Sequence, residues 1–261
     1  MHAASMQTLM DMNKRVAIIL VFMVLGIALK AQEGDSIKKF VDYAFEPCAE
    51  AEAMNYVIMA TTPNEAGVYP ARVYTMDGSL SRTGTVDGPN TLQRTGLWTS
   101  WRASGKVYAT LQYAQGKRNG TTEYFFENGQ KSAQVTYVDN NKTDEAYWEA
   151  DGTPQPDTEQ ANQRAKFAGG KQAMNEFIRN NLKMPKSFKR GKGAKRERVI
   201  VWFVVDKDGQ LTEIETPNNP TPELGEEARR VVAAMPRWLP AKHMNIPRPM
   251  RMRLPIEFIK R

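Results

Sequence analysis

The sequence predicts two folded parts. The first is an N-terminal mainly-β domain of stacked hairpin repeats. The second is an α+β C-terminal domain in which a three-stranded antiparallel sheet is packed by two helices. Three observations carry this reading. Charge changes sign along the chain: residues 32–161 hold 11 Lys/Arg against 18 Asp/Glu, whereas residues 162–261 hold 22 against 10. Such a split argues for two units with different surfaces. Aromatic and glycine positions recur at intervals of 23 or 24 residues between Trp101 and Gly152. After Phe167 the hydrophobic period alternates between that of a helix and that of a strand. A hydrophobic content of 41% is enough for globular cores.

The N-terminus reads as an export segment, residues 1–31. Val16–Leu29 is apolar, follows Lys14-Arg15, and is 14 residues long. As a helix it spans about 21 Å, short of a hydrocarbon core of roughly 30 Å. It has the size of a signal-peptide core, with small residues leading to a cut after Ala31. Met12 puts the Lys-Arg pair at the start and reads as the initiator. The alternative is an uncleaved inner-membrane anchor. The expected localisation is periplasmic, or inner-membrane anchored if the segment stays.

Residues 32–152 form the repeat domain. Pro47, Pro63 and Pro70 interrupt its beginning, around short strand candidates at 41–45 and 56–60. Trp101, Phe125 and Trp148 each precede a glycine by four residues: Gly105, Gly129 and Gly152. Tyr113 and Tyr137 are also 24 apart, and Val73-Tyr74 before Asp77-Gly78 reads as a degenerate earlier copy. Asn128-Gly129 and Asp151-Gly152 favour hairpin turns, because Asn, Asp and Gly tolerate positive φ. A repeat of this size predicts units that share a core with their neighbours. Gly96-Leu97-Trp98, Ser104-Gly105-Lys106 and Asn128-Gly129-Gln130 resemble the MORN and toxin-antitoxin-type hairpin repeats. That resemblance implies a structural spacer with aromatics packed inside; a glycan or ligand platform is the other reading of the same rings. Residues 153–165, with Pro154, Pro156 and a polar run, read as a linker.

Residues 166–261 form the C-terminal domain. Met174, Phe177, Ile178 and Leu182 mark one face of a helix that starts after Gly169-Gly170 and stops by Pro185. Between Lys186 and Arg198 stand seven basic residues and one acid, Glu197. Phe188 is the one aromatic there, so no stacking platform for single-stranded nucleic acid is built; an acidic envelope partner or anionic lipid remains as its contact. Val199–Val205 is continuously apolar and predicts a central strand covered on both faces. Asp206-Lys207-Asp208-Gly209 reads as a hairpin turn, since it lacks the later carboxylate of a calcium loop. The return strand runs from Leu211 to Thr216. A second helix starts at Pro222 with Thr221 as cap, buries Leu224, Ala228, Val231, Val232 and Met235, and ends at Pro236. In the last strand Met250, Met252, Leu254, Ile256 and Phe258 alternate with Arg251, Arg253, Pro255 and Glu257. Pro255 cannot donate to a ladder, which predicts an edge strand.

This order of elements, from Phe167-Ala168-Gly169-Gly170 through Arg237-Trp238-Leu239-Pro240 to the closing strand, resembles the C-terminal domain of the TonB/TolA-like energy-transducer family. The resemblance implies a non-enzymatic module that adds an extended segment of an outer-membrane receptor to its sheet edge. It puts partner binding on Arg251, Arg253, Leu254, Pro255 and Glu257, and the turn leading to them on Arg237, Trp238 and Pro240. It also implies inner-membrane motor proteins as partners if the N-terminus is anchored. The chain lacks the Gln-Pro-x-Tyr-Pro run of the best-known members, with Met184-Pro185 near its place, and has hairpin repeats where they have a Pro-rich spacer.

The residue inventory gives no sign of catalysis. After the export segment there is one histidine, His243, and one cysteine, Cys48. No catalytic triad is complete without His243, no His/Cys metal set exists, and Gly191-Lys192-Gly193 is not a phosphate-binding loop. No metal, cofactor or nucleic acid is expected. The alternative to strand capture is a structural envelope scaffold that assembles through the repeats and an edge-to-edge homodimer.

Overall fold

The computed structural model of the protein describes residues 36–189 and 195–260. The apolar segment Val16–Leu29 and the expected cut after Ala31 lie outside them. Two compact units divide the chain: residues up to Thr122 with Thr136–Thr143, and Glu123–Val135 with Asp144 onward.

The first ten strands are β1 (Ser36–Val41), β2 (Asn55–Ala60), β3 (Tyr69–Thr75), β4 (Leu80–Val86), β5 (Arg94–Trp101), β6 (Val107–Ala114), β7 (Lys117–Arg118), β8 (Gly120–Phe125), β9 (Lys131–Val138) and β10 (Asn141–Tyr147). They form one sheet in chain order, with β7 beside β6, and not a stack of separate hairpins. Short connections dictate this, because only antiparallel neighbours can be joined by tight turns.

One turn recurs at one end of these strands. In Thr75–Ser79, Arg102–Lys106, Phe126–Gln130 and Glu149–Thr153 the first N–H donates to the fifth carbonyl. The fourth residue, a glycine, donates back to the first carbonyl. Those glycines, Gly78, Gly105, Gly129 and Gly152, have φ of 88°, 77°, 85° and 89°. This is a type I turn closed by a left-handed residue. Two-residue turns recur elsewhere: Gln115-Gly116 (φ 50°, 76°) and Asp139-Asn140 (φ 49°, 69°). A second repeat is carried by side chains. Arg94 and Arg118 donate to the hydroxyls of Tyr113 and Tyr137 at 2.9 and 3.2 Å. Their guanidiniums also lie over those rings, at 4.4 and 5.2 Å.

The core of this first unit surrounds Trp98, with Val57, Met59, Ala71, Val73, Val86, Leu92 and Tyr113. Phe45 meets the indole edge-on at 5.8 Å. The Trp98 Nε1 proton goes to the Thr85 carbonyl at 2.9 Å. Gly84 makes room: a Cβ there would lie 2.3 Å from the indole.

The C-terminal elements are helices α1 (Thr158–Ala161), α2 (Gly170–Asn181), α3 (Lys186–Lys189) and α4 (Pro222–Ala233), and strands β11 (Lys195–Val205), β12 (Leu211–Glu215), β13 (Ala241–His243), β14 (Ile246–Arg248) and β15 (Met250–Lys260). The main sheet has the order β12-β11-β15, all antiparallel, with β11 central. Gly169, at φ 83°, starts α2. Thr221 caps α4 by accepting the Leu224 N–H, and Pro222 occupies the first turn, where its missing N–H costs nothing. Leu224, Ala228 and Val232 of α4 join Val199, Val201, Phe203, Val205, Ile256 and Phe258 in one core.

Residues 153–165, read as a linker, carry α1. The Ala161 side chain is fully buried, and its carbonyl accepts the Asn245 N–H at 2.8 Å. His243 stands among Pro240, Lys242 and Pro247, a composition that reads as a loop. It ends β13, in a hairpin closed by Met244 and Asn245 (φ 53°, 58°).

Gly84→Ala tests the packing around Trp98. Overpacking of this kind costs about 1–3 kcal/mol. A lower urea midpoint by tryptophan fluorescence is the expected result; an unchanged midpoint would show that the indole repacks freely.

Candidate functional site: an open sheet edge

The site begins with register. β11 and β15 make eleven consecutive pairs, from Lys195↔Lys260 to Val205↔Met250, with no shift. On its other side β15 has no strand partner in this sheet among the described residues. Pro255 sits opposite Ile200 inside the unbroken ladder. A residue without an N–H fits there only as a non-hydrogen-bonded pair, its nitrogen turned away from β11. That fixes the alternation. The backbone N–H and C=O groups of residues 251, 253, 257 and 259 face the open side, as does the carbonyl of 255.

The same alternation sorts the side chains. Leu254, Ile256 and Phe258 face the core at 8%, 0% and 0% exposure. Met250 and Met252 pack half-buried at its margin. Arg251, Arg253 and Pro255 are exposed on the opposite face, with Glu257 half-buried beside them. Of the five partner-binding residues read from sequence, four share the outer face, and Leu254 presents its side chain to the core.

β11 shows why. Its run reads as covered on both faces, but only one is. Val199, Val201, Phe203 and Val205 are fully buried; Ile200, Trp202 and Val204 are half-buried on the outer face. No helix is needed on that side, because Arg251 lies over the Trp202 ring at 5.5 Å and long side chains cover apolar surface with their stems.

Charges on the outer face are unevenly paired. Glu257 accepts hydrogen bonds from Arg196 and, at 2.9 Å, Arg198. Those two guanidiniums, Arg196 first, hold its carboxyl below the usual glutamate range. Arg251 reaches Glu215 only at 3.7 Å. Arg253 has no side-chain partner among the described residues. The Arg196, Arg198 and Trp202 contributions were missed from sequence. Their signal was there, in the same period of two that sorted β15.

The approach to β15 is braced by Trp238. Its backbone N–H donates to the Gly209 carbonyl at 2.9 Å. Gly209 has φ 81°, and a Cβ there would lie 2.1 Å from the Trp238 carbonyl oxygen. The Trp238 indole meets Phe203 at 5.2 Å and Phe167 at 5.9 Å. Pro240 is held through its carbonyl, which accepts from the Gln163 side chain at 3.1 Å. Arg237 is exposed.

Other chemical candidates are occupied. The Asp206 carboxylate accepts the N–H groups of Asp208 and Gln210 at 2.9 and 2.8 Å, so it closes its own turn. His243 meets the Tyr124 ring at 6.1 Å. Burial, then Asp42 and Glu52, push the Cys48 thiol up and away from a reactive thiolate. Among the described residues no group of three or more His, Cys, Asp or Glu could hold a metal.

Residues 193–259 match the family model of the Gram-negative bacterial TonB protein C-terminal domain. The match covers the whole of β11, β12 and α4, and β15 up to Ile259. No curated protein and no solved structure matches the chain.

Acid tests the clamp on Glu257. Its folded pKa lies below the ordinary value. The stability it contributes is therefore complete above that ordinary value and is lost as pH falls through the folded one. Carbon-detected NMR titration of the Glu257 carboxyl is expected to give a midpoint below the glutamate range. Glu257→Gln should abolish this acid-dependent term. A midpoint at or above the ordinary value would show that Arg196 and Arg198 do not hold it.

Proposed function

We propose that this protein is a non-enzymatic, exported module of the bacterial envelope that captures an extended segment of another protein by adding it to the β15 edge. An outer-membrane transporter is the first choice of partner. The carrying observation is the edge itself: eleven residues paired without a shift on one side and open on the other. Strand addition uses main-chain hydrogen bonds for affinity and alternate side chains for specificity.

Every sheet edge carries devices that proteins use against pairing, β15 included with its arginines and Pro255, so what sets β15 apart is its length and unbroken ladder. β12 is five residues long and loses register beside Glu213, which has φ 49°. β1 carries Lys38 and Lys39, and β10 carries Lys142, Asp144 and Glu145. β15 is longer and unbulged. The family match over residues 193–259 supports an envelope protein-binding or energy-transducing role. Among the described residues no helix is long and apolar enough to cross a membrane. Force transmission from an inner-membrane motor therefore depends on the N-terminal segment, and N-terminal sequencing of the exported protein tests it: a mature start at Gln32 would sink it.

The same edge serves the second reading, a scaffold that dimerises edge to edge. Two substitutions separate the functions of individual groups. Pro255→Ala adds an N–H to the open side without touching the β11 ladder. Arg253→Pro removes one there. A net hydrogen bond is worth about 0.5–1.5 kcal/mol. Transporter-derived extended peptides should accordingly bind the first variant about two- to tenfold tighter and the second at least as much weaker. Amide shifts on titration should centre on residues 251–259. If every peptide leaves those amides unmoved while the protein self-associates through them, the scaffold reading wins.

A further inference from the structure

We infer that the captured segment carries two carboxylates two residues apart, separated by an apolar residue, and that Arg251 and Arg253 select it. This rests on the reading of β15 as a capture edge and adds the chemistry of the partner.

The argument starts from the alternation. A strand added to β15 places every second side chain on the outer face, directly opposite Arg251, Arg253, Pro255 and Glu257. Directly opposite residues have Cβ atoms about 4.5–5.5 Å apart, within reach of an ion pair. The intervening side chains fall on the inner face, beside Met250, Met252 and Leu254. The two methionines are half-buried, and flexible thioethers adapt to varied apolar neighbours.

The charges on the outer face are not balanced along β15. Arg196 and Arg198 share Glu257. Arg251 has only the 3.7 Å contact with Glu215, in which the two side chains keep 58% and 60% of their exposure. Arg253 has no side-chain partner among the described residues. The Arg251–Arg253 end is thus where guanidiniums lack a close carboxylate, whereas those at the other end hold Glu257 between them. A partner carboxylate opposite Glu257 would be repelled. Opposite Pro255 the partner's N–H is accepted, but its carbonyl finds no donor and must stay in water. The favoured pattern is therefore acid–apolar–acid at one end, followed by a neutral or basic residue where the segment passes Glu257. Because acid–x–acid reads alike in both directions, the selection does not depend on whether the added strand is parallel or antiparallel.

The experiment uses the full chain and three synthetic extended peptides that differ only at the paired positions: Asp-Val-Asp, Asn-Val-Asn and Lys-Val-Lys. Binding is read from the amides of residues 251–259. The Asp peptide is expected to bind about two- to tenfold tighter than the Asn peptide at low salt, since exposed ion pairs are worth a few tenths to about 1 kcal/mol each. That advantage should vanish near 0.5 M salt, where screening is nearly complete. Arg253→Glu, an exposed substitution, should abolish the advantage of the Asp peptide, and Arg251→Glu combined with it should reverse the order in favour of Lys-Val-Lys. Equal affinity for all three peptides, with the β15 amides moving, would overturn the acidic selection and leave strand capture standing. No movement with any peptide would overturn both. If phosphatidylglycerol vesicles shift the Arg251 and Arg253 signals as strongly as the Asp peptide does, these arginines serve a lipid surface and the inference falls.

Discussion

The eleven-pair register between β11 and β15 is the constraint on which the C-terminal domain depends. A strand shifted by one residue turns every side chain to the other face. Here such a slip would put Ile256 and Phe258 into water and Arg251 and Arg253 into the core. The cost of either error is several kcal/mol, so burial rules out a one-residue slip, and the cross-strand bonds of Glu257 to Arg196 and Arg198 favour this register over a two-residue one. Once it is held, the rest follows. The inner face accepts the helices, and the outer face collects Arg196, Arg198, Arg251 and Arg253. Pro255 must turn its nitrogen outward, which decides the backbone groups that a partner would meet.

Around that ladder the chain is tied down by small contacts with specific residue requirements. Trp238 and Gly209 hold the β11–β12 turn against the segment that leads to β15. Leu239 and Lys166 exchange two backbone hydrogen bonds, at 3.0 and 2.8 Å. Asn245, 1% exposed, donates its side chain to the Trp148 carbonyl at 2.7 Å and its backbone N–H to Ala161. The Asn162 side chain spans from the Tyr147 hydroxyl to the Met244 N–H. These bonds join the end of β10, α1 and the β13–β14 hairpin within one compact unit. A polar stretch with two prolines has the composition of a tether, yet two of its carbonyls, those of Ala161 and Gln163, accept the distant N–H groups of Asn245 and Lys242.

The sequence made some of this legible and hid the rest, for physical reasons. Strict alternation from Met250 to Phe258 revealed both faces of β15, and Pro255 revealed the edge. Thr221-Pro222 announced α4 because capping is a local matter. β11 misled: seven apolar residues in a row look alike whether a face is covered by a helix or only by arginine stems from the next strand. The turn of the β13–β14 hairpin, Met244-Asn245, has no glycine and begins on a residue type that seldom takes positive φ, so no local signal marks it. Residues 153–165 have the composition of a linker; the Asp157 cap of α1 is a local signal within them, whereas the bonds of Ala161 and Gln163 to Asn245 and Lys242 have no local pattern. In the first unit the spacing of 24 between Tyr113 and Tyr137 was visible. The matching spacing of Arg94 and Arg118 was equally present, but its meaning needs the rings they cover.

Pro255 also bears on the choice between a foreign strand and a second copy of this chain. Any symmetric edge-to-edge dimer that spans the middle of β15 contains Pro255 twice, so its ladder lacks two hydrogen bonds. A captured peptide meets Pro255 once and forgoes only one. At about 0.5–1.5 kcal/mol for a net hydrogen bond, the difference favours the peptide by a few-fold before any side chain is considered. Charge does not remove this handicap. Two antiparallel registers of the dimer bring an arginine opposite Glu257, yet Glu257 is already engaged by Arg196 and Arg198. The remaining registers place arginine against arginine, Pro255 or Ile259, or Glu257 against itself or Pro255, so none of them adds an ion pair. The same residue that leaves the edge open therefore tilts it against self-pairing, which is what a capture site at the end of a sheet requires.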